Sequence, residues 1–271
     1  PSESAFQTDL KAKLARLPKG KREAVVFVHG FNTTYAEGAY RMAQLGHDLK
    51  IPGVLVHYSW PSKGHPLGYV YDRDSALFAR DGLEDLLRDV DRAGADRILL
   101  MAHSLGSLIL MEALRQVEIG RDSHLRQKIG GVVLVSPDLD VDLFRSQAHR
   151  IGPLPQPFLI FTSRKDRALS LSARLTGRNQ SRLGNLGSAK DLADLNVTVL
   201  DTTAYTKGAG HFNVGNSPVL LALLSQIGAV DQALARDTRG RTGLLPGVVL
   251  TFQNATEIIL APVAAISGYR G

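Results

Sequence analysis

The stretch Arg97-Ile-Leu-Leu-Met-Ala-His-Ser-Leu-Gly-Ser107 decides the fold of this 271-residue chain. Its apolar run, Ile98 to Met101, is long enough for a buried strand. From Leu105 to Val117, apolar residues recur at helical spacing. A serine between such a strand and such a helix, with small residues two positions before and after it, is the pattern of a nucleophile elbow. The stretch therefore predicts that the hydroxyl of Ser104 stands clear of a sheet at a sharp turn.

The elbow departs from the Gly-x-Ser-x-Gly pattern at one position, because Ala102 replaces the first glycine. Alanine is the next smallest side chain, so strand and helix can still approach each other closely. A serine at this place has a simpler interpretation, as a helix N-cap. The order in which the partner residues follow Ser104 favours the nucleophile.

Composition places the chain among globular proteins and excludes several function classes. Hydrophobic residues make up 44% of it, which is ample for a buried core. The formal net charge is +6, but no nucleic-acid-binding motif is present, so we expect no nucleic-acid partner. The chain has no cysteine, which excludes disulfides and thiolate chemistry. No apolar run is long enough to predict a transmembrane span.

Apolar runs alternate with helical patterns along the chain, which is typical of an α/β fold. The runs lie at 24–28, 54–58, 98–101, 131–135, 158–161 and 197–200. This alternation predicts a doubly wound, mostly parallel sheet with helices on both faces. Ligands of such sheets bind beyond the C-terminal ends of the strands.

Three parts are expected along the chain. Residues 1–21 contain a lead-in helix, residues 22–230 form the catalytic domain, and residues 231–271 form a C-terminal extension packed on that domain. The extension is apolar but interrupted by polar residues, and its pattern is compatible with a pair of strands or with a helix.

A serine hydroxyl becomes a good nucleophile when a histidine takes its proton and a carboxylate orients that histidine. In this kind of fold the chain order is serine, acid, histidine. His211 follows the last predicted strand and is the candidate base. Asp166, just past the fifth strand, is the preferred acid; Asp138, past the fourth, is the runner-up, and Asp201 is a third option.

The negative charge that develops on the reacting carbonyl needs N–H donors. In this architecture one donor is the N–H after the nucleophile, here Leu105, and the other lies after the first core strand, here Phe31. Gly30 lets the backbone turn inward there. Losing one such donor typically costs about 3–4 kcal/mol of transition-state stabilisation. We expect His29 to brace this loop and His103 to be structural.

Other polar and aromatic residues give weaker predictions. Trp60, past the second strand, lines the substrate pocket or packs in the core. The charged run Asp72-Arg73-Asp74 is interpreted as a solvated helix face. No metal-ligand spacing, P-loop or dinucleotide fingerprint is present, so we expect neither a metal nor a cofactor.

Taken together, five segments resemble the α/β-hydrolase superfamily, and more closely a bacterial branch of predicted esterases and lipases. They lie at 26–32, 58–62, 102–106, 136–140 and 166–170. The resemblance implies Ser104 as nucleophile, Asp166 as acid and His211 as base. Members of this branch are often exported or attached to the cell envelope, which is the location we favour, while a cytoplasmic one stays open.

The resemblance supplies no substrate, and the leading hypothesis is an enzyme that cleaves a small-molecule carboxylic ester. Residues 139–156, the usual position of a cap domain, hold only a short segment, so we expect little or no cap and an open site for short to medium acyl groups. A small flap formed by residues 167–194 is the alternative. A thioesterase, amidase or acyltransferase would use the same residues. A non-catalytic binding module is the alternative of a different class.

Overall fold

The computed structural model describes residues 2–177, 182–205 and 247–260 of the chain. In chain order the strands are β1 Glu23–Val28, β2 Val54–Tyr58, β3 Arg97–His103, β4 Ile129–Val135, β5 Phe158–Thr162, β6 Thr198–Asp201, β7 Gly247–Phe252 and β8 Ala255–Leu260. The α-helices are α1 Glu3–Ala15, α2 Tyr35–Asp48, α3 Tyr69–Arg92, α4 Gly106–Ile119, α5 Ser123–Lys128, α6 Val141–Ile151 and α7 Arg167–Leu175.

All eight strands lie in one sheet, in the order β2-β1-β3-β4-β5-β6-β8-β7. Neighbouring strands are parallel except for β7 and β8, which are antiparallel. The doubly wound, mostly parallel sheet predicted from the sequence is thereby confirmed.

Helices cover both faces of the sheet, which explains why the central strands are apolar along their whole length. On β1, Val26 and Val28 belong to the larger core, which includes buried residues of α1, α3, α4 and α6. The alternate residues Val25 and Phe27 belong to a second core with Met42 of α2. Side chains alternate along a strand, so one apolar run contributes to both layers.

The first helix and the last two strands of the described chain join the rest of the fold in different ways. The predicted lead-in helix forms as α1, capped by the Ser2 hydroxyl, and buries Leu10 and Leu14. The β7–β8 pair extends the central sheet, because β8 runs parallel to β6 with Thr198 opposite Thr256. For residues 247–260 the strand alternative of the sequence analysis is therefore correct. The domain boundaries at 21 and 230 stay predictions.

The parallel strands bring the candidate site residues to one edge of the sheet. Ser104 follows β3, Asp138 follows β4 and Asp166 follows β5. The whole connection between β4 and β5, residues 136–157, is described, and its one regular element is α6. This connection contains no cap domain.

Candidate active site

Ser104 occupies the sharp turn between β3 and α4. Its φ is +51°, in the left-handed region that residues other than glycine rarely adopt. Backbone hydrogen bonds hold it there. Its N–H donates to Val135 O at 3.0 Å, and its C=O accepts from the N–H groups of Asp138 (3.1 Å) and Ser107 (3.0 Å). Strain of this kind persists only where the surroundings over-determine the backbone, and it concentrates at functional sites.

Two glycines let the loop after β1 pack directly against this turn. A Cβ on Gly30 would lie 2.8 Å from the Cβ of Ser104, and one on Gly106 would lie 2.4 Å from His29 O. Both distances are far below a normal contact, so any larger residue would push the loop and the turn apart. Glycine at these positions therefore sets the distance between the nucleophile candidate and the loop.

His29 fixes the orientation of the next peptide unit. The N–H of Trp60 donates to His29 Nε2 at 3.2 Å, so this nitrogen carries no proton. The proton is then on Nδ1, which donates to Gly30 O at 2.9 Å. Burial lowers the pKa of His29, which keeps the ring neutral and this pattern intact. The bracing contact expected from the sequence is present.

The peptide group that His29 holds joins Gly30 to Phe31, so it contains both the Gly30 C=O and the Phe31 N–H. In a trans peptide the C=O and the N–H point in opposite directions. Fixing Gly30 O therefore also fixes the direction of the Phe31 N–H. Leu105 supplies the second candidate donor, at the start of α4, where the helix dipole favours negative charge. Among the described residues, neither N–H donates a hydrogen bond.

Trp60 and His103 both lie beside the loop after β1. Trp60 is buried, stacks on the His29 ring at 5.0 Å between centroids, and donates from Nε1 to His29 O at 2.8 Å. Its contacts fit core packing better than pocket lining. His103 lines a cavity of ≈ 190 Å³, which His29, Gly30 and residues of α2 also line.

Asp138, the runner-up acid, is held in a buried polar cluster. Its carboxylate accepts from Tyr69 Oη at 2.9 Å and Ser172 Oγ at 2.7 Å, and it forms an ion pair with Arg182 Nε at 3.2 Å. Burial raises the pKa of the Tyr69 hydroxyl, and the neighbouring carboxylate raises it further, so the phenol stays a donor. A carboxylate with three side-chain partners has little capacity left to orient a histidine.

The other two carboxylates differ in how they are engaged. Asp166 is completely buried at the N-cap of α7, where Oδ1 accepts from the Leu169 N–H at 3.2 Å. Asp201 accepts from the Thr203 N–H at 2.8 Å and pairs with Arg164 at 3.1 Å. Asp166 remains the acid preferred from the sequence, and its role stays a prediction.

The candidate base, His211, lies outside the described residues. Within the ranges that are described, no group of three or more histidine, aspartate or glutamate side chains is placed to hold a metal ion. No helix in these ranges is long and apolar enough to cross a membrane.

The structure corrects the prediction for Asp72. The interpretation of its charged run as a solvated helix face is wrong for this residue, because Asp72 is completely buried. It accepts hydrogen bonds from the loops after β1 and β2. Asp72 lies four residues before Ala76 and seven before Ala79, on the buried face of α3, whereas exposed Asp74 lies on the opposite face. Helical spacing therefore separates the two carboxylates, while the partners of Asp72 are set by tertiary contacts.

A family model described as "Alpha/beta hydrolase of unknown function (DUF900)" matches residues 2–225. The chain belongs to this family. The resemblance to the α/β-hydrolase superfamily drawn from the sequence is thereby confirmed. No curated protein matches this α/β hydrolase.

Solved structures of esterases and lipases share its fold. Lipase B of Aspergillus fumigatus is 15% identical with a TM-score of 0.50; the match covers 85% of this chain and 58% of the lipase, so the chain spans little more than half the lipase's length. An esterase of Pyrobaculum calidifontis is 16% identical (86% and 92% covered, TM-score 0.39). An esterase of Pyrococcus furiosus is also 16% identical (80% and 84% covered, TM-score 0.44).

A second histidine next to the loop gives a prediction about acid stability. The ring of His57 on β2 lies 5.5 Å from that of His29. Burial, with a smaller contribution from His29, lowers the pKa of His57 from 6.5 to about 4. Between these two pH values the unfolded chain binds a proton that the folded chain does not. The free energy of unfolding should therefore fall as the pH falls through this window.

Urea unfolding of wild type and His57→Gln between pH 7 and pH 4 measures this contribution. We expect the variant to lose less stability across the window than wild type. His47→Gln is the control, because His47 is 90% exposed, and it should follow wild type. Equal losses in wild type and His57→Gln would contradict the prediction.

Proposed function

We propose that this α/β hydrolase cleaves carboxylic esters through an acyl-enzyme intermediate on Ser104. The observation that carries the proposal is the strained turn at Ser104, packed against the loop whose Phe31 N–H is fixed in direction by His29. Strain is maintained here at the end of a parallel strand, where enzymes of this architecture bind ligands.

In the first half-reaction, Ser104 Oγ attacks the ester carbonyl while His211 takes the hydroxyl proton. The carbonyl oxygen becomes an oxyanion, which accepts hydrogen bonds from the N–H groups of Phe31 and Leu105. The C–O bond to the alcohol then breaks. His211 returns the proton to the leaving oxygen, and the acyl group stays on Ser104.

In the second half-reaction, water attacks the acyl-enzyme as His211 takes one of its protons. The same two N–H groups hold the second oxyanion. The C–O bond to Ser104 breaks, Ser104 recovers its proton, and the carboxylic acid leaves. Asp166 accepts from the imidazole of His211 and stabilises its protonated form.

The preference for short to medium acyl groups rests on the connection between β4 and β5. It contains α6 and no cap domain, so it builds no long apolar tunnel over the strand ends. A strong preference for long-chain triglycerides would count against this part of the proposal.

The role of Ser104 is tested by hydrolysis of p-nitrophenyl acetate, butyrate, octanoate and palmitate. Ser104→Ala should lower kcat by a factor on the order of a million for every ester that wild type hydrolyses, because the nucleophile is lost. Ser107→Ala is the matched control. This buried serine is the second residue of α4, three positions after Ser104, and its removal should leave kcat within about twofold. Equal rates for wild type and Ser104→Ala would refute the mechanism.

The choice of acid is tested by two isosteric variants assayed on the same esters. Asp166→Asn should lower kcat by about 10⁴-fold, because an amide no longer stabilises the charged imidazole. Asp138→Asn should lose stability, because it leaves Arg182 unpaired, while its folded fraction keeps most of the wild-type kcat. The reverse result would assign the acid to Asp138.

A further inference from the structure

Asp72 is a buried carboxylate that the proposed reaction does not use. It lies in the first turn of α3 and is completely buried. Three donors converge on it. Oδ2 accepts from the Asn32 N–H at 3.2 Å and from Ser62 Oγ at 2.6 Å, while Oδ1 accepts from the Lys63 N–H at 2.6 Å. One carboxylate therefore joins α3 to the loops that follow β1 and β2.

Ser62 connects this carboxylate to a second residue of the loop after β1. Its hydroxyl donates to Asp72 and accepts from the Thr33 N–H at 3.2 Å. The N–H groups of two consecutive residues, Asn32 and Thr33, are thus held by the Asp72–Ser62 pair. Hydrogen bonds to a charged acceptor are roughly twice as strong as those between neutral groups, so the loop is firmly held at this point.

These contacts act on the residue that supplies the candidate oxyanion donor. Asn32 adopts a φ of +53°, which an asparagine tolerates but does not favour. Its N–H belongs to the peptide unit that begins with the Phe31 C=O. The preceding unit, which carries the Phe31 N–H, is held by His29. The backbone of Phe31 is therefore fixed on both sides, by a histidine before it and by a carboxylate after it.

We propose that Asp72 is a positioning residue that aims the Phe31 N–H at the oxyanion. The proposal rests on the ester hydrolysis proposed above. Asp72 reaches the reacting atoms through the loop alone, so its contribution belongs to the transition state and not to binding of the ground-state ester.

The expected size of the effect follows from the value of one donor. Removing an oxyanion donor lowers kcat by about 10²–10³-fold. Asp72→Asn keeps the shape of the side chain but replaces one acceptor oxygen with a donor NH₂. We expect it to loosen the loop and lower kcat by about 10- to 100-fold, with KM within about threefold of wild type.

The control for lost stability is Glu112→Gln. Glu112 is a buried carboxylate on α4 that accepts from Gln147 Nε2 and Arg115 Nη2, both at 2.7 Å. Neither partner belongs to the loop after β1. This variant should lose stability in urea unfolding and keep the wild-type kcat, which separates general destabilisation from misdirection of the Phe31 N–H.

The experiment compares kcat and KM for p-nitrophenyl butyrate at a temperature where every variant is folded. Inhibition by phenylboronic acid, whose tetrahedral adduct on Ser104 imitates the intermediate, gives a second readout. Asp72→Asn should raise the inhibition constant by about the factor by which kcat falls. If it does not fold, Ser62→Ala tests the same contacts, with an expected loss in kcat of about 3- to 10-fold, since one of the three donors to Asp72 is removed.

The outcomes separate the two proposals. If wild type is active and Asp72→Asn has the same kcat, the positioning role is overturned and ester hydrolysis is left intact. The same holds for Ser62→Ala if Asp72→Asn does not fold. If Glu112→Gln and Asp72→Asn are equally destabilised and lose kcat to the same extent, the positioning role is also overturned. Wild type that hydrolyses none of the esters refutes the proposed function, and the role of Asp72 with it.

Discussion

The close approach of the loop after β1 to the turn at Ser104 is the constraint on which the candidate site depends. It requires glycine at position 30 and at position 106, because a Cβ at either place would overlap the opposite backbone or side chain. It also requires a left-handed Ser104, whose backbone is tied to the end of β4 through Val135. Strand order and local strain together place Ser104 next to the loop that carries Phe31, at one edge of the sheet.

Buried polar groups, rather than apolar packing, fix the details of this edge. His29, Asp72 and Asp138 are buried, and each side chain forms hydrogen bonds with at least two other residues. Such networks make the local geometry unique when every member has a partner, and unstable when one is removed. The apolar core determines where the strands lie, while these three side chains determine how the loops leave them. Asp138 holds together the polar cluster of Tyr69, Ser172 and Arg182, and the choice of Asp166 as the acid stays a prediction.

Much of this arrangement is readable from the sequence because its signals are local. The run from Arg97 to Ser107 predicts β3, the turn and α4 from neighbouring residues, and the structure confirms the strand and the helix. Contacts between residues that are distant in sequence cannot be predicted from such local patterns. Helical spacing places Asp72 on the buried face of α3 but does not identify the loops that it contacts, and the Arg182 that engages Asp138 lies 44 residues away, beyond the next strand. The pairing of β8 with β6 is likewise a tertiary contact that a short apolar run cannot specify.

The most direct measurement of the central claim, that the turn presents Ser104 as a nucleophile, is intact-mass spectrometry after treatment with a fluorophosphonate. Attack by the serine oxygen forms a P–O bond and expels fluoride, so no substrate has to be guessed. We predict one adduct per chain, mapped by peptide sequencing to Ser104 and absent from Ser104→Ala. A folded chain that takes up no label, or takes it up at another residue, would contradict the account.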